Sequence, residues 1–336
     1  MKSATITGKG GSALKQSAVI QTKAAPVATE KKRGTFRTEI RRNGLLYLLT
    51  LPGILLIFVF SYLPMGGIVV AFQNFNAIKG ITGSEFVGFK NFSFFVESRE
   101  VLHVIFNTLF LNALFILCGT LASVGIAVMF SELGGKWFKR IVQSLVTLPN
   151  FLSWTVIAMF VTALLSSDNG MLNKWLEAFG IGPIAYFNVP HMWPWILVLI
   201  KVWQGAGFGS IVYLATITGI NPDIYESASI DGASRWEKIR FITLPLLKPT
   251  IILMILLAMG GIFYGDFGMI YALVGRNVML YPTTDVIDTY VYRALMDLGD
   301  MGMAAAVGVF QSVIGFILVV TVNQLARKFS PDSALF

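Results

Sequence analysis

Six apolar stretches, near residues 45–72, 104–130, 141–166, 193–217, 250–274 and 304–326, are each long enough to cross a bilayer, by the measure of about 20 apolar residues per helical span. That feature leaves little choice of fold. A spanning backbone finds no water to pair with, so its N–H and C=O groups have to be satisfied within helices. The chain therefore reads as an all-α integral membrane protein with six transmembrane helices. Pro52 and Pro64 fall inside the first span, where neighbouring helices can satisfy the backbone groups that a proline frees. Composition agrees: 55% of the residues are hydrophobic and 13% are charged, about half the charge of a soluble domain.

The net charge of +8 invites a nucleic-acid reading, and the placement of the charge answers it. Six spans put both ends of the chain on one side. Close to the spans, Lys31, Lys32, Arg33, Arg37, Arg41, Arg42, Lys136, Lys139, Arg140, Arg235, Lys238, Arg240, Lys248, Arg327 and Lys328 fall on that side, fifteen against six on the other. Lys and Arg collect on the cytoplasmic side, so both termini are expected there and no nucleic acid is invoked. Residues 1–43 are Lys-, Ser-, Thr- and Ala-rich and are expected to be a disordered cytoplasmic tail. They do not read as a signal peptide, because the first apolar run starts only at Leu45. The spans and their loops then fill 44–330, and 331–336 form a short tail.

The longest polar segment between two apolar blocks is Tyr225–Pro245, YESASIDGASRWEKIRFITLP. Asn221, Pro222 and Asp223 form a helix start: a cap, a proline at the first position and an acid in the first turn. The helix is expected to run to about Ile230 and to close at Asp231–Gly232, where glycine takes a left-handed conformation without steric cost. Ser234 with Glu237 makes a capping box for a second helix. Leu244–Pro245 is expected to end or redirect it. The first helix carries small residues, Ser227, Ala228 and Ser229, beside Glu226.

This segment resembles the EAA loop of binding-protein-dependent ABC importer permeases. Glu226, Ala228, Gly232, Ile242, Leu244 and Pro245 fall at that pattern's positions, and Ser227 replaces its middle alanine. The stretches YLLTLPGILLIFVFSYLPMGGIVVAFQNFNAIKGITGSEFVGFKNF, TDVIDTYVYR and AAAVGVFQSVIGF resemble the LplB-type group within the maltose-type permeases. The resemblance covers roughly residues 40–330; VGRN at 274–277 departs from the shorter turn expected there. It implies a type I, MetI-like permease in a bacterial plasma membrane. Its 221–245 loop would be a coupling helix docking into an ATPase, through Glu226, Ser227, Ala228, Asp231 and Gly232. The implied partners are a second homologous permease, two ATPase subunits that bind ATP and Mg, and an extracellular sugar-binding protein. The implied cargo is a complex sugar.

Motifs for chemistry in the chain itself are missing. GKGGSA in the tail lacks the closing Lys-Ser/Thr of a phosphate loop, and there is no H-E-x-x-H, C-x-x-C or G-x-S-x-G. Cys118 is the single cysteine and lies in an apolar run; His103 and His191 are far apart. Asp285 and Asp288, three apart, have no second acidic motif and read as capping or loop groups. No cofactor and no catalytic residue are therefore expected. Loop 73–103 reads as an ordered outer segment, and Met171–Phe179 in loop 167–192 as a short amphipathic helix with Leu172, Trp175, Leu176 and Phe179 on one face.

Polar and aromatic groups at mid-depth are costly against lipid and are therefore candidates for a substrate path. They are Asn107 and Asn112 in the second span, Trp154 in the third, Lys201, Trp203 and Gln204 in the fourth, Tyr264, Asp266 and Tyr271 in the fifth, and Gln311 in the sixth. Aromatic faces stack on pyranose rings and amides bond their hydroxyls, so this inventory suits sugars. Helix packing is the other explanation for each aromatic. Two alternatives stand beside the sugar permease: a permease for a non-sugar solute, and a membrane enzyme acting on lipid-linked sugars.

Overall fold

The computed structural model describes residues 36–93 and 99–329; most of the expected tail, and residues 331–336, lie outside them. Among the described residues five helices are long and apolar enough to cross a membrane: Asn43–Phe72, Arg99–Glu132, Pro190–Thr218, Arg235–Met259 and Met301–Gln324. Lys136–Phe151 and Trp154–Leu165 make a sixth span if they count as one, bent by 96°.

The chain up to Leu63 forms a unit of its own. Within it α1 (Phe36–Ile57) starts before the residue-43 boundary, breaks from helical φ/ψ at Asn43 and holds Pro52 inside. It runs into a π-turn at Phe58–Tyr62.

The second unit starts at Pro64. After the 3-10 turns of Leu63–Phe72 comes a small hairpin, β1 (Gln73–Asn74) against β2 (Glu85–Phe86), antiparallel with Gln73 opposite Phe86. Phe72 packs edge-on to Phe89, with centroids 5.4 Å apart. The described part of loop 73–103 up to Ser93 is thus ordered, as its aromatic content suggests.

Helices α2 (Arg99–Glu132) and α6 (Trp193–Thr218) pack along one another and form the spine of this unit. Between them in sequence come α3 (Lys136–Thr147), α4 (Trp154–Leu165) and α5 (Met171–Ala178). The third span, expected at 141–166, is a bent pair, Lys136–Phe151 with Trp154–Leu165. Pro149 starts a 3-10 turn at Leu148–Phe151, Leu152 is extended, and Ser153 caps α4 afresh. α5 forms where the amphipathic pattern placed it; Leu172 and Leu176 pack on the core while Trp175 and Phe179 stay exposed.

After α6 come α7 (Pro222–Ile230), α8 (Arg235–Lys238), a π-turn at Ile239–Thr243, and α9 (Leu244–Met259). Two expectations change here. Leu244–Pro245 does not end the helix. The π-turn absorbs it, because Leu244 N–H reaches Ile239 O, one residue further than in an α-helix. The ladder has already skipped a carbonyl before Pro245, which has no N–H to offer. The fifth span, expected at 250–274, stops at Met259 and Gly260. A new helix, α10 (Phe267–Leu273), starts at an Asp266 cap. A single helical turn at Tyr281–Thr284 and then α11 (Ile287–Arg293) and α12 (Met301–Phe329) follow.

Three apolar clusters knit the second unit. One centres on Trp193, Leu197, Met269 and Leu280, the second on Phe130, Tyr213, Ile217 and Leu247, and the third on Val104, Phe263, Ile287 and Val307. Gly207 lets α6 meet α3 backbone to backbone: a Cβ there would stand 2.1 Å from Val146 O, whereas one at Gly205 would meet nothing within 4 Å. Small residues at such crossings are what allow membrane helices to approach closely. Gly207→Ala is expected to destabilise the fold by about 1–3 kcal/mol, the usual size of an overpacking penalty. Gly205→Ala should be near neutral; thermal unfolding of the two detergent-purified variants checks the contrast.

Candidate functional site

The polar segment after α6 is built by local rules. Asn221 Oδ1 accepts the Asp223 N–H at 3.1 Å and Pro222 opens α7. At the far end Ala233 N–H reaches Ala228 O at 2.9 Å and Gly232 N–H reaches Ser229 O at 3.2 Å. With Gly232 at φ 83° this is a Schellman close, which needs a residue free to adopt positive φ. The Ser234–Glu237 capping box is complete in both directions, at 2.7 and 3.3 Å. Two side-chain bonds fold the hairpin on itself: Lys238 Nζ to Ser229 Oγ at 2.7 Å, and the Tyr225 and Thr243 hydroxyls at 2.9 Å.

Glu226, Ser227, Asp231 and Gly232 are exposed along this hairpin, and Ala228 is half-buried. Glu226 has no ion pair among the described residues. Ile230 is 87% exposed and Trp236 66% exposed, large apolar groups that the sequence reading passed over. Their signal was available, as apolar residues standing alone in a polar loop.

The second feature is a cavity of about 410 Å³ between α2, α6, α9 and the break after α9, within the ~300–1,000 Å³ of small-molecule sites. Asn112, Lys201, Tyr264 and Asp266 line it together. Lys201 Nζ pairs with Asp266 Oδ2 at 2.6 Å and lies 5.2 Å from the centre of the Trp154 ring. Asp266 Oδ1 also accepts Met269 N–H at 3.1 Å, capping α10. Thr120, Ser123 and Tyr213 line the same space and were missed. Thr120 and Ser123 share the Asn112 face of α2 at helical spacing, a weak signal because hydroxyls in spans commonly bond their own helix.

The break at 260–266 is held by long-range side chains. Asn112 Nδ2 donates to Ile262 O at 2.9 Å and Tyr264 O at 3.1 Å. Gln311 Nε2 donates to Phe263 O at 2.8 Å. Asp288 Oδ2 accepts Gly265 N–H.

The other sequence candidates lie apart. Asn107 is buried and donates to Pro282 O and Asp285 O, both at 3.2 Å. Trp203 is exposed beside a wholly apolar hollow with Phe160, Leu164 and Leu199. Gln204 is half-buried on α6. Tyr271 stacks on Phe267 at 5.2 Å and meets Tyr292 edge-on. Asp285 and Asp288 are both taken up in structure. Arg293 grips both oxygens of Asp285, at 2.8 and 2.6 Å, while lying 4.2 Å from the Tyr281 ring centre.

Residues 116–331 match the family described as Binding-protein-dependent transport system inner membrane component. The Polygalacturonan/rhamnogalacturonan transport system permease protein YteP of Bacillus subtilis (strain 168) is 34% identical over 308 residues, 92% of this chain and 95% of that protein. Protein LplB of the same organism is 32% identical over 308 residues, 92% of this chain and 96% of its own length. A solved bacterial alginate ABC transporter, in complex with an alginate pentasaccharide-bound periplasmic protein, contains a chain of the same fold. The TM-score is 0.80 at 34% identity, over 88% of this chain and 98% of that one.

Burial pushes the Asp288 carboxyl above its ordinary range, and the nearby Asp266 charge adds to this; the Gly265 and Gln311 donors work against it. The penalty on the charged form sets in as pH rises through the ordinary carboxylate range and is fully present above the raised value. Asp288→Asn keeps an acceptor for Gly265 without the charge, so its stability relative to the wild type should rise with pH. Asp288→Ala removes the charge as well but leaves the Gly265 N–H unpaired, so it should be about 1–3 kcal/mol less stable than Asp288→Asn at every pH. Thermal unfolding of both variants at acid and neutral pH reads the two effects separately.

Proposed function

The chain belongs to the binding-protein-dependent transport system inner membrane components, and on that premise we propose that it moves oligosaccharide or polysaccharide fragments into the cytoplasm as the permease of an ATP-driven importer. It is a multi-pass membrane protein. The observation that carries the cargo reading is the cavity, where amide, hydroxyl and aromatic groups converge between spans. Asn112, Thr120 and Ser123 offer partners for sugar hydroxyls, and Tyr264 a face for a ring. The relatives described above, for polygalacturonan/rhamnogalacturonan and for alginate, support a sugar cargo.

The energy comes from a separate pair of ATPase subunits that bind ATP and Mg, docked on the 221–245 hairpin. Glu226 and the small residues of α7 enter the ATPase groove, with Ile230 and Trp236 beside them. A second permease of the same kind completes the pathway, and a sugar-loaded binding protein delivers cargo from outside. Motion has a direct route. α9 connects the hairpin, through the Tyr225–Thr243 bond, to the 260–266 break that carries Tyr264 and Asp266. Moving the docked hairpin moves α9, and the cavity changes the side to which it opens.

Glu226→Ala, Gly232→Pro and Ala228→Trp are each expected to insert normally but to lose ATPase co-purification or binding-protein-stimulated hydrolysis. For Glu226 the size is about 3–5 kcal/mol, the cost of stripping one member from a desolvated charge pair. Gly232→Pro removes both the N–H bonded to Ser229 and the positive φ. Arg235→Ala should be mild. Normal hydrolysis in all three variants would sink the docking role.

Orientation is read with a single cysteine in a Cys118→Ala background. Ile78, 96% exposed at the hairpin tip, should react as Ile78→Cys with an impermeant reagent in intact cells. Ile230→Cys should react only after lysis. The reverse pattern would invert the topology.

A further inference from the structure

Three ion pairs join side chains among the described residues, and they are built differently. Arg276–Asp297 is exposed at 3.1 Å and adds little in water. Arg293–Asp285 is closed, because both carboxylate oxygens are taken by the guanidinium, Thr289 bonds one of them as well, and Tyr281 covers the cation. Lys201–Asp266 is neither. Its side chains are 33% and 23% exposed, and both residues line the cavity.

The bonding of this third pair leaves capacity on the cation. A lysine ammonium carries three donors on a flexible stem. One meets Asp266 Oδ2, and the Trp154 face takes the charge on another side. Asp266 is secured independently of Lys201, since its Oδ1 caps α10 through Met269 N–H. Lys201 can therefore turn toward a second anion without stranding Asp266.

Stability does not account for the pair. Replacing a partly buried ion pair with apolar groups is often neutral or stabilising, and a lysine in a span is costly unless answered. A neutral sugar needs no fixed cation, because amides and hydroxyls satisfy its hydroxyls.

We propose that Lys201 receives the carboxylate of a passing sugar residue, so that the cavity selects fragments containing uronic acid; this rests on the sugar-import reading above. Asp266 acts as the resident counter-ion, holding Lys201 in place between cargo molecules and sharing it when cargo is present. Trp154 fixes the height of the ammonium in the cavity wall.

The test titrates labelled tetragalacturonate, and the carboxyl-reduced neutral tetrasaccharide made from it, onto the complete purified transporter. Both permeases and both ATPases are included, and the binding protein is left out so that only the membrane cavity discriminates. The wild type should bind the uronate about tenfold more tightly, the size of one charge-assisted hydrogen bond. Lys201→Gln should bring the two affinities together, and Lys201→Arg should keep the preference. If Lys201→Gln fails to assemble with the ATPases, the double change with Asp266→Asn removes both charges while keeping the cap and takes its place. Equal wild-type affinities, or a preference that survives loss of Lys201, would overturn the inference and leave sugar import standing. Binding of neither tetrasaccharide to the wild type would overturn both.

Discussion

A helix that stops inside a membrane protein leaves carbonyls and N–H groups that water cannot reach, and residues 260–266 are where this chain meets that cost. α9 ends at Gly260 and α10 starts only after Asp266. The backbone between them is satisfied from three directions: Asn112 on α2 takes the Ile262 and Tyr264 carbonyls, Gln311 on α12 takes that of Phe263, and Asp288 on α11 takes the Gly265 N–H. Phe263 then packs with Val104, Ile287 and Val307 from the same three helices. Polar latch and apolar cluster coincide, so the unwound segment has one course. That course puts Tyr264 and Asp266 at the cavity wall.

The latch depends in turn on what holds α11. Asp288 can reach Gly265 only if the start of α11 is fixed. Asp285 just before it is bound by Arg293, by Thr289 and, through its carbonyl, by Asn107. Thr108 Oγ1 also accepts the Ile287 N–H, at 2.9 Å. Asn107 and Thr108 on one turn of α2 thus anchor α11, and Asn112 a turn later anchors the break. The carboxylate of Asp285 is closed off by this duty, which is why the two neighbouring acids differ so much from Asp266.

The division between what the sequence made legible and what it did not follows interaction range. The hairpin at 221–245 was readable nearly residue by residue. Asn221, Gly232, Ser234 and Glu237 act within a few positions of themselves, and their residue types carry their conformations. The cavity was readable only as an inventory. Asn107 and Asn112 look alike in sequence and sit five apart on one helix, yet one bonds the 282–285 backbone and the other the break. Trp203 is two residues from Lys201, which turns it to another face of α6. Nothing local marks such differences, because the partners lie tens to hundreds of positions away. The bends failed for a related reason. Pro149 and Gly260–Gly261 are permissive of a break, and Pro245 equally so, but only the first two became one. At Pro245 a π-turn was available to carry the helix through.

That π-turn gives the span its mechanical character. With the ladder shifted by one residue at Ile239–Thr243, the helix passes from the capped hairpin into α9 without a free end. The joint is stiffened by the Tyr225–Thr243 bond, since Tyr225 belongs to α7. A π-turn is the kind of irregularity at which helices bend, so the Tyr225–Thr243 bond is what ties α7 across it to the start of α9. At its other end the helix stops, at a segment held by side chains rather than by its own ladder. The span is thus secured by long-range side-chain bonds at both ends, beside the hairpin and beside the cavity, and by its own ladder between them.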